Sequence, residues 1–286
     1  MITFTSNELY SLVAGMLWPL VRILGLIAAA PLYGNRSVPA RAKVMLAVML
    51  TLVIAPAIPK VSPLDPMSLP GLLIVAQQLL IGLAMGFSVR IVFSAVEMAG
   101  EIIGLTMGLG FATFFDPQSS ARTSAISQFL ALIATTTFLS VNGHLVLLSV
   151  LAESFTTLPI AAEPIAGFGL KQLADWGSKI FSSGLHLSLP ILTALLLVNI
   201  ALGILTRAAP QLNLFGIGFP ITLAAGYLMI MFVVPYLSNP LQFLFNEGIE
   251  KARQLPRTMQ EREPRELPVI KPLVLPSPQP PTTPAR

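Results

Sequence analysis

Cysteine is missing from all 286 residues. That excludes disulfides, thiolate metal sites and cysteine nucleophiles together, and leaves the redox compartment unread. Charge is scarce as well: Asp, Glu, Lys and Arg make up 10% of the chain, against about 25% in an ordinary soluble domain. Too few charged groups remain to solvate a globule of this length, so lipid or other proteins must cover much of its surface. Histidine occurs only as His144 and His186, with no second ligand at helical spacing, and no metal site is expected. The enzyme motifs are missing too: no glycine–lysine–serine phosphate loop, no HExxH, and no serine in a nucleophile elbow. The expectation is a chain without catalysis or cofactor.

What the chain does have is apolar length. Hydrophobic residues make up 54% of it, and the mean hydropathy is +0.78. No basic residue precedes the first apolar run, and Glu8 stands just before it, so the N-terminus does not resemble a cleaved signal peptide. A spanning helix needs about 20 mainly apolar residues. Six stretches approach that length: Leu9–Leu32, Ala42–Ile58, Leu69–Phe93, Ile126–Leu151, Ile180–Leu205 and Leu214–Leu237. The fold expected is therefore an all-α membrane protein of about six hydrophobic helices, with a glycine-rich loop between the third and the fourth.

Pro19, Pro190, Pro220 and Pro235 fall inside or at the ends of these runs, where proline removes a backbone hydrogen bond and bends the helix. Irregular backbone survives at membrane depth only against protein or a water-filled cavity, a pattern that favours an assembly with a passage. The basic residues point two ways. Arg36, Arg41 and Lys43 argue that the first connection is cytoplasmic, and Lys251, Arg253 and Arg257 argue the same for the C-terminus. Six full spans would place these regions on opposite sides, so one segment is re-entrant or the bundle is unconventional. Residues 1–245 read as one helical membrane domain, and 246–286, rich in proline and mixed charge, as a flexible tail.

Ionisable residues within apolar segments cost at least about 2.5–3.5 kcal/mol near a helix centre and are candidates for function or assembly. Arg22, Arg90, Glu97, Glu101 and Arg207 are such residues. Arg90, Glu97 and Glu101 share one face if the third helix continues, and they suit either a paired seam between helices or the lining of a polar conduit. Gly100, Gly104 and Gly108 recur every helical turn, a spacing that lets a neighbouring helix approach closely. Then comes "GFATFFDP", Gly110–Pro117. The position before a proline disfavours helical torsions, so Asp116-Pro117 ends any helix and leaves Phe111, Phe114 and Phe115 at the tip or edge of a loop, where a protein-lined space suits them better than lipid.

Three stretches together resemble the FliR/SctT family of type III secretion export-gate proteins. They are "VRILGLIAAAPLYGNRSVPARAKVMLA"; "GEIIGLTMGLGFATFFDPQ" continuing to "NGHLVLLSVLAESFTTLP"; and "RAAPQLNLFGIGFPITLAAG". The resemblance runs from about Leu9 to Gln242. It implies a FliP-like part over 1–178 and a FliQ-like hairpin over 179–245, with FliP-like and FliQ-like subunits, FlhB and FlhA as partners. It also implies a central channel in the bacterial inner membrane, at the flagellar basal body, that passes unfolded flagellar proteins. Gly110, Phe111, Ala112, Thr113, Phe114, Phe115, Asp116 and Pro117 match the family's channel plug. A virulence injectisome homologue would work by the same mechanism. A small-solute transporter using Arg22, Glu97 and Glu101 should show two comparable halves, and the sequence shows no such repeat.

Overall fold

A long apolar run punctuated by small residues forms the axis of the molecule. In the computed structural model, which describes residues 6–59, 64–111, 124–209 and 214–260, this run is α3, Leu69–Thr106, of 38 residues. Its length is about 57 Å at 1.5 Å per residue. Ser68 caps its start by accepting the Gly71 N–H at 3.2 Å, and Pro70 sits in the first turn, where a missing N–H costs nothing. The helix continues through the stretch from Ser94 that the sequence suggested would be separate. Glu97 and Glu101 do not break it, and the first left-handed residue is Gly108, at φ 87°.

Around α3 lie α1 (Ser6–Ala29), α2 (Ala40–Ile54), α4 (Ala125–Ser140), α5 (Gly143–Thr157), α6 (Phe168–Trp176), α7 (Lys179–Ala208), α8 (Phe219–Val233) and α9 (Ser238–Gln260). No strand occurs among the described residues. Among the described residues four segments are long and apolar enough to cross a membrane: Ala40–Ala57, Leu69–Thr106, Phe168–Ala208 and Gly216–Tyr236. The expected segment Ile126–Leu151 is instead a pair, α4 and α5, bent by 64°. Asn142, at φ 55°, makes that bend, and the absent side chain of Gly143 admits the Phe138 ring.

Packing follows the glycines. α1 lies parallel to α3, with Gly25 facing Leu79–Leu83, Gly82 facing Arg22, and Gly86 facing Ala29 and Ala30. On another side Gly184 brings α7 against Ala95 and Met98. At the centre Phe93, Phe138 and Phe245 stack edge-on or tilted, with centroids 5.1–5.7 Å apart, joining α3, α4 and α9. Pro19 and Pro190 lie inside continuous helices, Pro220 opens α8, and Pro235 sits in the 3-10 turn that closes it. In the turn after α1, burial raises the Tyr33 phenol above its ordinary pKa, and its hydroxyl donates to the His144 carbonyl at 3.1 Å.

The flexible tail expected over residues 246–286 is helical over its described part. Residues 246–260 are the second half of α9, whose Phe245, Ile249, Ala252, Leu255 and Met259 are buried. Their spacing of three and four makes an apolar stripe, which outweighs the content of charge and proline; Pro256 itself is buried within the helix. The Ala166 N–H donates to the Met259 carbonyl at 2.7 Å. Arg253 and Arg257 reach Glu153 at 3.3 and 3.4 Å.

Candidate functional site

The last turns of α3 and the start of α4 are held together by short polar contacts. The Glu101 carboxylate accepts the Ser124 N–H at 2.8 Å, and the Ser127 hydroxyl donates to the Glu97 carbonyl at 2.8 Å. Ser124 caps α4 through the Ser127 N–H at 3.1 Å. Gly100 and Gly104 are buried beneath these serines. A Cβ on Gly100 would overlap the Ser127 backbone, and one on Gly104 would come within 2.9 Å of the Ser124 Oγ. Here the glycine spacing brings two helices close enough for hydroxyls to reach main-chain oxygens.

On the other side of this junction Met107 is fully buried. Its side chain lies under Gly226 of α8, where a Cβ would meet it at 2.5 Å, and its carbonyl accepts from the Thr222 hydroxyl at 3.3 Å. Gly108 then turns the chain, and Leu109–Phe111 make a short 3-10 turn containing Gly110. Both flanks, 107–111 and 124–127, are thus fixed on the end of α3. Of the residues matched to the plug, Ala112, Thr113, Phe114, Phe115, Asp116 and Pro117 lie outside the described residues, as does the side chain of Phe111.

The charges fall into two groups. Arg22 is 0% exposed, and among the described residues no carboxylate pairs with it. Its Nε donates to the Gln78 Oε1 at 2.7 Å, one terminal nitrogen to the Ser154 carbonyl and hydroxyl at 2.9 and 3.1 Å, and the other to the Leu158 carbonyl at 3.0 Å. The Phe155 ring lies 4.3 Å from the guanidinium carbon. Such a cation is tolerable only because its donors are matched, and the match ties α1, α3 and α5 together. Arg90, Glu97 and Arg207 are exposed, and none forms an ion pair among the described residues. The structure therefore does not bring Arg22, Glu97 and Glu101 into one site.

Sequence reasoning missed the Gln78–Ser154–Leu158 cradle. Two of its acceptors are main-chain carbonyls, which leave no trace in residue type. It also missed the Glu153 contact with α9, for which the apolar stripe from Leu241 to Met259 was the available signal. Among the described residues no group of three or more His, Cys, Asp or Glu side chains could hold a metal ion.

These features define a class: an all-α membrane protein with one densely packed axial helix and peripheral helices whose apolar faces its own fold leaves open. The chain belongs to the bacterial export proteins, family 1, whose profile matches residues 13–248. It is 44% identical over 248 residues to the flagellar biosynthetic protein FliR of Pectobacterium carotovorum subsp. carotovorum, covering 86% of this chain and 94% of that one. It is 44% identical to FliR of Escherichia coli (strain K12), covering 86% and 94%. It is 30% identical to FliR of Bacillus subtilis (strain 168), covering 87% and 97%.

Proposed function

We propose that this chain is a non-catalytic gate subunit of the flagellar type III export apparatus in the bacterial inner membrane, and that Gly110–Pro117 stoppers its channel. The observation that carries the reading is the match along almost the whole length of proteins named for flagellar biosynthesis, in a chain whose outer helices remain uncovered. FliP-like and FliQ-like subunits would cover them, with 1–178 as the FliP-like part and 179–245 as the FliQ-like hairpin, and FlhB and FlhA would dock on the assembly. Unfolded flagellar proteins are the cargo. Exposed Arg90, Glu97 and Arg207 then serve as contact points for sister subunits, and the flagellar names of the relatives favour this system over an injectisome.

The local geometry supports the plug. A loop whose neighbours are pinned, by Met107 under Gly226 on one side and by Glu101 at Ser124 on the other, can block a passage without dragging the helices with it. Phenylalanine rings meeting across a narrow opening exclude water and ions. Deleting Gly110–Pro117 should leave the complex assembled and raise its small-ion conductance in planar bilayers. An assembled deletion complex with the parent conductance rejects the plug.

A further inference from the structure

Between α7 and α9 runs an open groove of about 530 Å³, within the roughly 300–1,000 Å³ of small-ligand sites. Its polarity is graded along its length. One end carries Lys179 and Glu247, paired at 2.8 Å with side chains 36% and 31% exposed; His186 lies about two helical turns further on. The other end is walled by Leu187, Pro190, Val233 and Leu237, with Phe243 between the two ends. From Lys179 to Pro190 the groove extends about 16 Å at 1.5 Å per residue, close to half of the roughly 30 Å hydrocarbon core of a bilayer.

The charged end also has the marks of a membrane interface. Lys179 lies 5.3 Å from the Trp176 ring, and the Trp176 indole N–H is satisfied by the Ser88 carbonyl at 3.1 Å. Tryptophan and lysine together are the usual anchors at headgroup depth. A cation and an anion side by side, each about a third exposed, gain little from one another and can exchange partners at small cost. Their complement is a headgroup that itself carries both signs.

We propose that this groove binds one zwitterionic aminophospholipid. Its phosphate faces Lys179, its ammonium faces Glu247, and one acyl chain lies along Leu187, Pro190, Leu237 and Phe243. The length sets the ligand at one leaflet of lipid, and the paired charges set the headgroup. The proposal does not depend on the plug.

The test uses the complex reconstituted in vesicles of phosphatidylethanolamine with phosphatidylglycerol and read by native mass spectrometry. The expected result is retained phosphatidylethanolamine, with retention falling about tenfold in His186→Trp, where the indole occupies the groove from an exposed position, while the sister subunits stay bound. The double variant Lys179→Ala/Glu247→Ala should lose the preference for phosphatidylethanolamine over phosphatidylglycerol. A photo-crosslinker at Leu187 should yield a lipid adduct. Unchanged lipid retention in His186→Trp, an unchanged headgroup preference in the double variant, or a crosslink to a neighbouring polypeptide overturns the proposal.

Discussion

Helices α3 and α7 are nearly equal in apolarity and opposite in fate. Their most apolar 18-residue stretches have mean hydropathies of 2.1 and 2.3, yet 67% of the first is buried within the chain and only 11% of the second. The difference lies in small residues at close contacts. Gly82, Gly86, Gly100 and Gly104 each bring another helix's backbone or Cβ atoms onto α3, whereas α7 has one such contact, Gly184, and nothing lies within 4 Å of where Gly203 would carry a Cβ. Apolar surface is a common property of both helices; close approach is not. One helix organises this subunit, and the other presents itself to whatever lies outside.

The largest test of that contrast is Arg22→Met. Removing the guanidinium strips the Gln78 amide oxygen and the Leu158 carbonyl of their donor, and each dry acceptor costs about 1–3 kcal/mol. A loss of about 2–4 kcal/mol should appear as a lower thermal midpoint of the detergent-solubilised complex; an unchanged midpoint would mean that the cradle adds nothing to the packing around α3. Gly82→Ala comes next. Its methyl group runs into the Arg22 carbonyl, and overpacking of this kind costs about 1–3 kcal/mol. The same melt checks it, and a neutral result would deny that close approach distinguishes α3.

On the open helix the expected effects move from stability to association. Leu197 and Ile200 are 64% and 54% exposed, so Leu197→Ser with Ile200→Ser should shift the stability of the isolated chain by under about 0.5 kcal/mol. Co-purification with sister subunits should fall clearly, and full retention would assign this face to lipid. The smallest effect is that of Gly203→Ala, which gains helix propensity without meeting an atom and should stabilise by up to about 1 kcal/mol. Destabilisation of the isolated chain would show that α7 is already covered within the subunit.

Much of the fold was legible from residue order, and the reasons are local. Runs of 20 apolar residues read as membrane helices because no other common element hides them. Gly100 and Gly104 read as a packing face because a turn of helix repeats every 3.6 residues. The end of α3 was misplaced because two glutamates four positions apart resemble a break, although a helix can turn such side chains outward, as it does with Glu97. The α9 stripe was overlooked because proline and charge were weighed as composition when their spacing was what mattered.

The sequence by itself determined that this is an all-helical membrane chain, without thiol chemistry, and of the export protein family, since apolar length, missing cysteine and ordered motifs are properties of residue order. Only the tertiary structure decided that Arg22 is satisfied by an amide and two main-chain carbonyls, that Glu101 holds the N-cap of a helix 23 positions away, and that α3 is covered while α7 is bare. Those outcomes depend on which surfaces meet at a distance in space, and a carbonyl oxygen has the same identity at every position in a chain.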